Sequence, residues 1–233
     1  MAAGENAEGE GARLERTYAG YARSPWRRRG WSAQNRGNVA IRGELSARVR
    51  SILGDRLDAG DVLDVGCGGG WLLAELAVAG VDPARLHGVD LIADRVAAAR
   101  RRIQGADLRR ADARRLPFED GRFAAVTLLT VLSSTEDRRA AESVLREADR
   151  VLAADGVLVV YEPRVRNPLN RRTRLVGLDE IERAVGGASA REARLTVLPA
   201  LARRLGPLAD RLYPRLARIQ PLLTHRLIVV EKG

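Results

Sequence analysis

The segment Asp61-Val-Leu-Asp-Val-Gly-Cys-Gly-Gly-Gly70 constrains this chain more than any other. A short apolar run reads as a buried strand, it ends in a glycine cluster, and a helical pattern follows from Trp71 to Ala79, stopped by Gly80. Glycine lets a backbone turn sharply and approach a ligand closely. The helix start then offers free amides and the positive end of its dipole. Such a strand–turn–helix suits a dinucleotide or another adenosine-containing ligand. The dinucleotide fingerprint G-x-G-x-x-G would need glycine at position 71, where this chain has Trp71. The glycines fall instead as Gly66-x-Gly68-x-Gly70, with Asp64 two residues ahead. A carboxylate there fits a cationic ligand, such as an amino acid's ammonium, better than a pyrophosphate.

The pattern on either side extends the argument. Apolar positions at helical spacing run from Ile41 to Leu53. Strands are predicted at Leu86–Asp90, Asp107–Arg110, Phe123–Leu129 and Val157–Tyr161, with helices at Asp94–Arg102 and Ala140–Val151 between them. Strands alternating with helices of this length mean βαβ units and a mostly parallel sheet. The last third differs: a short helix at Leu178–Val185, a strand at Arg194–Leu198, a helical stretch broken near Pro207 and Pro214, and a closing strand at Leu227–Val230. Residues 1–40 read as a disordered tail plus a lid, and 41–233 as one domain in which 163–192 is a substrate-side insertion.

Two further carboxylates stand at successive strand ends. Asp90 closes the second strand, where a ribose diol would be gripped, and Asp112 follows the third, placed to accept from an adenine amine. At this point the chain resembles the class I S-adenosylmethionine-dependent methyltransferases. The resemblance rests on VLDVGCGGG, HGVDL, ADARRLPFEDGRF, VTLLTVLSS and VLAADGVLVVYEP in that order, and covers about 41–162 with the closing 224–232. It implies a Rossmann-like, seven-stranded, mostly parallel α/β sheet with the last strand antiparallel and helices on both faces. It implies S-adenosylmethionine as cofactor, with Asp64, Gly66, Cys67 and Gly68 at the methionine end. Asp90 and Leu91 would hold the ribose, Asp112 and Ala113 the adenine, and Leu129 and Thr130 the methionyl side. Ser133-Ser134 stand where many small-molecule members carry histidines, so no imidazole base is expected.

Methyl transfer from a sulfonium needs placement and desolvation more than covalent help. Glu162, at the end of the fifth strand, is the best-placed candidate for a proton acceptor; holding nearby arginines is an equally good reading. Tyr21 is the candidate catalytic aromatic, its face able to shield a developing cation. The segment Pro163–Arg174 gathers Arg164, Arg166, Asn167, Asn170, Arg171 and Arg174 on a turn shaped by Asn-Pro-x-Asn. Arginine forks suit phosphate or carboxylate. The favoured acceptor is therefore a small anionic metabolite bearing a phosphate or diphosphate, as in specialised metabolism, with Tyr18 and Trp31 of the lid packing on it. A neutral sugar or polyketide hydroxyl is the alternative.

Composition trims the remaining classes. The net charge is +10, yet Lys232 is the only lysine, so the basicity is an arginine excess that genomic composition explains as well as function does. Aromatics are only 4%, too few for a base-stacking platform, and the Asn/Asp-Pro-Pro-Tyr signature of exocyclic-amine methylation is replaced by Leu-Leu-Thr-Val. Nucleic acid is thus an unfavoured partner and RNA methylation a second alternative. An adenosyl-binding module without turnover, and more distantly a nicotinamide oxidoreductase, complete the rivals. Cys67 is the only cysteine and reads as a small filler in the loop, so no disulfide framework and no metal site are expected. No apolar run reaches the roughly 18 residues a membrane span requires, and the acidic, Gly/Ala-rich start has no signal-peptide core. The expectation is a cytoplasmic monomer or homodimer.

Overall fold

The computed structural model describes residues 34–166, 173–185 and 189–232, together with the single positions 9, 13 and 32. Its elements run α1 (Arg36–Leu53), α2 (Arg56–Ala59), β1 (Asp61–Val65), α3 (Trp71–Val78), β2 (Leu86–Asp90), α4 (Ala93–Arg102), β3 (Asp107–Arg110), β4 (Phe123–Leu129), α5 (Arg138–Val151), β5 (Leu152–Pro163), α6 (Leu178–Ala184), β6 (Ser189–Val197), α7 (Pro199–Arg204), α8 (Ala209–Leu216) and β7 (Leu223–Glu231). The seven strands form one sheet in the order β3-β2-β1-β4-β5-β7-β6. The pairs β1–β2, β1–β4, β2–β3 and β4–β5 are parallel, as the alternating pattern requires. At the end of β7 the Lys232 amide donates to the Gly156 carbonyl (3.0 Å), at the start of the long paired stretch of β5. The last strand therefore runs antiparallel to β5, completing the Rossmann-like arrangement that the sequence resemblance implies.

The chain divides into two compact units, Met1–Arg48 with Arg194–His225, and Val49–Ala193 with Arg226–Gly233. The larger holds the main core. Leu63, Val65, Val126, Leu128, Leu158 and Val160 come from the central strands, and Ala141, Val144, Leu145, Ala148 and Val151 from one face of α5. That spacing is the helical period, and Asp137 caps the helix by accepting the Ala140 amide at 2.8 Å. Central parallel strands are covered on both faces, so they read as continuous apolar runs rather than as alternation. In the smaller unit Val197, Ala202, Tyr213 and Leu223 form a core of their own. Beside it Glu44 accepts from the Tyr213 hydroxyl (2.7 Å) and the Thr196 amide (3.2 Å). Burial raises the pKa of Glu44 despite both bonds. His225, also in this unit, is pushed down to about 4 by burial, reinforced by the charge of Arg203.

Several predicted boundaries shift. α1 begins at Arg36 rather than Ile41, inside the stretch 1–40 read as tail plus lid, and the largest remaining changes are at three strand starts. β5 begins at Leu152 rather than Val157: Leu152 pairs with Phe123 and Val157 with Ala125, so five positions of β5 run against two of β4. The Asp155-Gly156 turn signal is absorbed into that irregularity. β6 and β7 start earlier than their apolar runs, because ladder pairing extends into polar sequence that periodicity cannot flag. Among the described residues no helix is long and apolar enough to cross a membrane.

Candidate active site

The loop after β1 is built from left-handed glycines. Gly66, Gly68 and Gly70 have φ of 72°, 54° and 71°. The Gly66 and Cys67 amides both donate to the Val89 carbonyl at 2.8 and 2.9 Å, which ties the loop to the end of β2. Gly66 also lacks room for a side chain, since a Cβ there would lie 2.6 Å from Cγ2 of Val131, on the segment after β4. The loop is thus wedged between two strand ends.

Asp90 fixes the same loop from β2. Its Oδ2 accepts the Gly68 amide at 2.9 Å and its Oδ1 the Ile92 amide at 2.9 Å. Arg95 stands 3.9 Å from Oδ2. The Leu91 carbonyl accepts from Arg110 Nε at 3.1 Å. Asp64 is different. Its carboxyl is only 2% exposed, Oδ1 accepts the Thr127 hydroxyl at 2.6 Å, and no arginine or lysine among the described residues lies within ion-pair distance. Burial pushes its pKa up to about 7, the Thr127 hydrogen bond opposing and the Asp90 charge adding to the rise. A buried carboxyl with no counter-ion is a place prepared for a cation. Burial also raises the pKa of the Cys67 thiol, with Asp64 and Asp90 adding to it, so this thiol is inert at neutral pH.

Asp112 carries a strong local pair. Arg114 reaches it through Nε (3.0 Å) and Nη2 (2.7 Å), and the Arg114 amide donates at 2.9 Å. Burial works against ionisation, but the Arg114 contacts outweigh it and hold the carboxyl below its ordinary value. Ala113 packs beside it against the main core.

At the end of β4, Thr130 adopts φ of 59°, a left-handed backbone uncommon outside glycine and often found at functional sites. Its amide donates to the Tyr161 carbonyl at 2.7 Å, its hydroxyl to the Leu129 carbonyl at 2.6 Å, and its own carbonyl accepts the Ser134 hydroxyl at 2.9 Å. Asp64, Asp90, Thr130 and Glu162 therefore stand at the carboxyl ends of adjacent parallel strands, with Asp112 just beyond β3. This is the edge where open α/β sheets bind ligands.

Glu162, a candidate proton acceptor or partner of arginines by sequence, holds backbone in the structure. It is wholly buried; Oε1 accepts the Leu132 amide at 2.7 Å and Oε2 the Ser133 amide at 3.2 Å. Burial pushes its pKa up to about 7, against the hydrogen bonds from Ser133 and Leu132 and the charge of Arg174. Each oxygen accepts an amide of the 3-10 turn Leu132–Ser134, so the carboxyl positions that stretch of backbone. His87 lies toward the other end of the sheet, its Nε2 3.0 Å from Asp61 and its Nδ1 3.3 Å from Asp107.

On the acceptor side, Arg164 is half-buried and Arg166 exposed. The Arg174 amide donates to the Ser133 carbonyl at 3.3 Å, and its Nη1 donates to Oε1 and Oε2 of Glu180 at 2.8 and 2.9 Å. Tyr18, Tyr21, Trp31, Asn167, Asn170 and Arg171 lie outside the described residues. Sequence reasoning passes over Thr127 and Glu180. Thr127 was detectable as a lone hydroxyl in an apolar strand; Glu180 looks like any other helical carboxylate.

Comparison with known proteins decides the family. Residues 63–160 match the model of a methyltransferase domain, covering the glycine loop, Asp90, Asp112 and β4. This domain belongs to the class I S-adenosylmethionine-dependent methyltransferases. The methyltransferase domain shares its fold with geranyl diphosphate C-methyltransferase from Streptomyces coelicolor A3(2), solved with Mg2+, geranyl diphosphate and S-adenosyl-L-homocysteine. That likeness has a TM-score of 0.61 at 14% identity and covers 82% of this chain and 77% of the other. A protein from Pyrococcus horikoshii OT3 gives 0.60 at 19%, covering 88% and 93%. The [4+2]-cyclase SpnF gives 0.57 at 20%, covering 80% of each. A Streptomyces fradiae protein described as an uncharacterized 37.1 kDa protein in transposon TN4556 is 37% identical over 126 residues. The match takes in 52% of this chain and 36% of that protein, so the chain spans about a third of its relative's length. The methyltransferase domain has S-adenosylmethionine as its cofactor, and the residues present fit it: a glycine loop open to close approach, and a buried carboxyl awaiting a cation.

Proposed function

We propose that the protein transfers a methyl group from S-adenosylmethionine to a small anionic metabolite, one bearing a phosphate or diphosphate, in specialised metabolism. The observation that carries the reading is a cation-seeking carboxyl, Asp64, at the same edge of the sheet as Arg164 and Arg166, which follow β5, and Arg174, which is bonded to the turn after β4. S-adenosylmethionine supplies the electrophilic methyl on a sulfonium. Asp64 meets the positive end of the cofactor, Asp90 its ribose, and Asp112 with Ala113 its adenine. Glu162 holds the turn that walls the methionyl side. With that carboxyl enclosed, the acceptor atom is one that reacts without a protein base at Glu162. The acceptor bound by the geranyl diphosphate enzyme, a diphosphate on an apolar chain, supports the anionic class.

The test uses radiolabelled methyl donor with paired acceptors, each phosphorylated compound beside its dephosphorylated form. Transfer confined to the phosphorylated members is expected. Equal transfer to the neutral members would replace this reading with methylation of a neutral hydroxyl. The cyclase of the same fold favours a second reading, an adenosyl-binding catalyst that transfers no methyl. Formation of S-adenosylhomocysteine separates the two.

A further inference from the structure

Arg174 carries an oddity that its known contacts do not explain. One of its terminal nitrogens, Nη1, is shared between the two oxygens of Glu180. The opposite edge of the guanidinium, Nε and Nη2, is buried and has no acceptor among the described residues. Leaving a charged donor desolvated and unmet is costly, and folded proteins keep such groups rarely and for a reason. Arg226 is the other arginine of this kind among the described residues, but it has a single unmet nitrogen, Nε. Arg174 has two, side by side, on the edge of the guanidinium that points two parallel N–H bonds at one target.

The position of this edge is set by the site already described. The main chain of Arg174 is bonded to Ser133, and Ser133 and Leu132 are held by Glu162 at the end of β5. The fork is thus tethered to the turn after β4, at the end of the sheet where Asp64, Asp90 and Thr130 converge. Glu180, only 10% exposed, grips Nη1 and fixes the rotation of the guanidinium plane.

We propose that the Nε–Nη2 edge of Arg174 is the receptor for a paired-oxygen anion, phosphoryl or carboxylate, on the methyl acceptor, and that Glu180 aims it. The assignment rests on the anionic-acceptor reading above. Two parallel N–H donors match two oxygens on one phosphorus or carbon, a fit that a lysine ammonium does not reproduce. Glu180 cancels much of the local charge, and Glu162 lies close enough to interact with Arg174. Recognition therefore depends on the fork more than on net charge, and arginine outperforms lysine by a wide margin.

The experiment is calorimetric titration of the full chain, saturated with S-adenosylhomocysteine, by inorganic pyrophosphate in one arm and succinate in the other. Wild type, Arg174→Lys and Arg174→Met are compared. Binding of one anion to wild type is expected, weakened at least tenfold in both variants, while affinity for S-adenosylhomocysteine stays within about twofold. The preferred arm tells a phosphoryl acceptor from a carboxylate one. If wild type binds an anion and Arg174→Lys binds it equally well, the fork assignment falls and the anionic reading stands. If wild type binds neither anion, both fall. Should Arg174→Met fail to fold, the lysine variant, which keeps the charge and loses the fork, decides the matter.

Discussion

Asp64→Asn should make the protein more stable and poorer at holding its cofactor, and both effects should depend on pH. The wild-type carboxyl is buried against Thr127 with no cation beside it among the described residues, and its pKa stands at about 7 instead of the ordinary 3.8. The gap is about 3 units, and each unit is worth about 1.4 kcal/mol, so keeping Asp64 ionised in the free protein costs on the order of 4 kcal/mol. The sign follows from proton counting. Between the two pKa values the folded chain keeps a proton the unfolded chain has released, so this contribution to stability is full below about pH 4 and is lost as pH rises through about 7. Asparagine has the same shape and still accepts the Thr127 hydroxyl, but carries no charge to desolvate. The variant should match wild type near pH 4 and exceed it by up to about 4 kcal/mol near pH 8, roughly 10 °C in Tm for a chain of this size. Cofactor affinity should move the other way. If the ammonium needs the ionised form, the competent fraction falls from about nine-tenths at pH 8 to about one-tenth at pH 6, so wild-type affinity for S-adenosylhomocysteine should drop about tenfold. Urea unfolding and calorimetry across this range, read as wild type minus variant, cancel the titration of Glu162. A stability gap that is flat from about pH 5 to pH 8 would refute the reasoning, because a neutral or already paired Asp64 predicts that result.

Three further outcomes are expected. Asp90→Ala removes the acceptor for the Gly68 and Ile92 amides and should weaken S-adenosylhomocysteine binding more than tenfold, through charge-assisted bonds worth about 1.5–3 kcal/mol; unchanged affinity in calorimetry would count heavily against the ribose assignment. Gly66→Ala puts a Cβ 2.6 Å from Val131 at a φ of 72° and should lower stability in urea by about 1–3 kcal/mol; full stability would mean the loop shifts freely. Glu162→Gln leaves one amide of the turn Leu132–Ser134 facing an NH2 group instead of an oxygen, and should lower stability by about 1–3 kcal/mol near pH 5, the loss shrinking toward pH 8 as relief of the burial that holds this carboxyl at about 7 offsets it; no loss near pH 5 would show that these amides find other acceptors.

Much of the fold was legible because parallel strands covered on both faces leave unbroken apolar runs. Asp61–Val65, Leu86–Asp90, Asp107–Arg110 and Phe123–Leu129 are the observed strand limits as well as the predicted ones. The ends of β5, β6 and β7 were not legible, since there pairing with a neighbour, and not side-chain pattern, keeps polar residues extended. Within the site, the glycine spacing and the three aspartates are local signals. Thr127, Glu180 and the true surroundings of Glu162 are not.

The sequence by itself determined which strand ends carry carboxylates and where the backbone must bend, because both depend on neighbours along the chain. Only the tertiary structure decided what each group faces. Glu162 became a clamp on two amides, and among the described residues Asp64 became a carboxyl without a counter-ion and Arg174 a fork with one edge unmet. Each outcome is set by distances between residues 29 or more positions apart in the first two cases, and by burial in the third. Desolvation and hydrogen-bond partnership are properties of the packed interior, and no run of letters carries them.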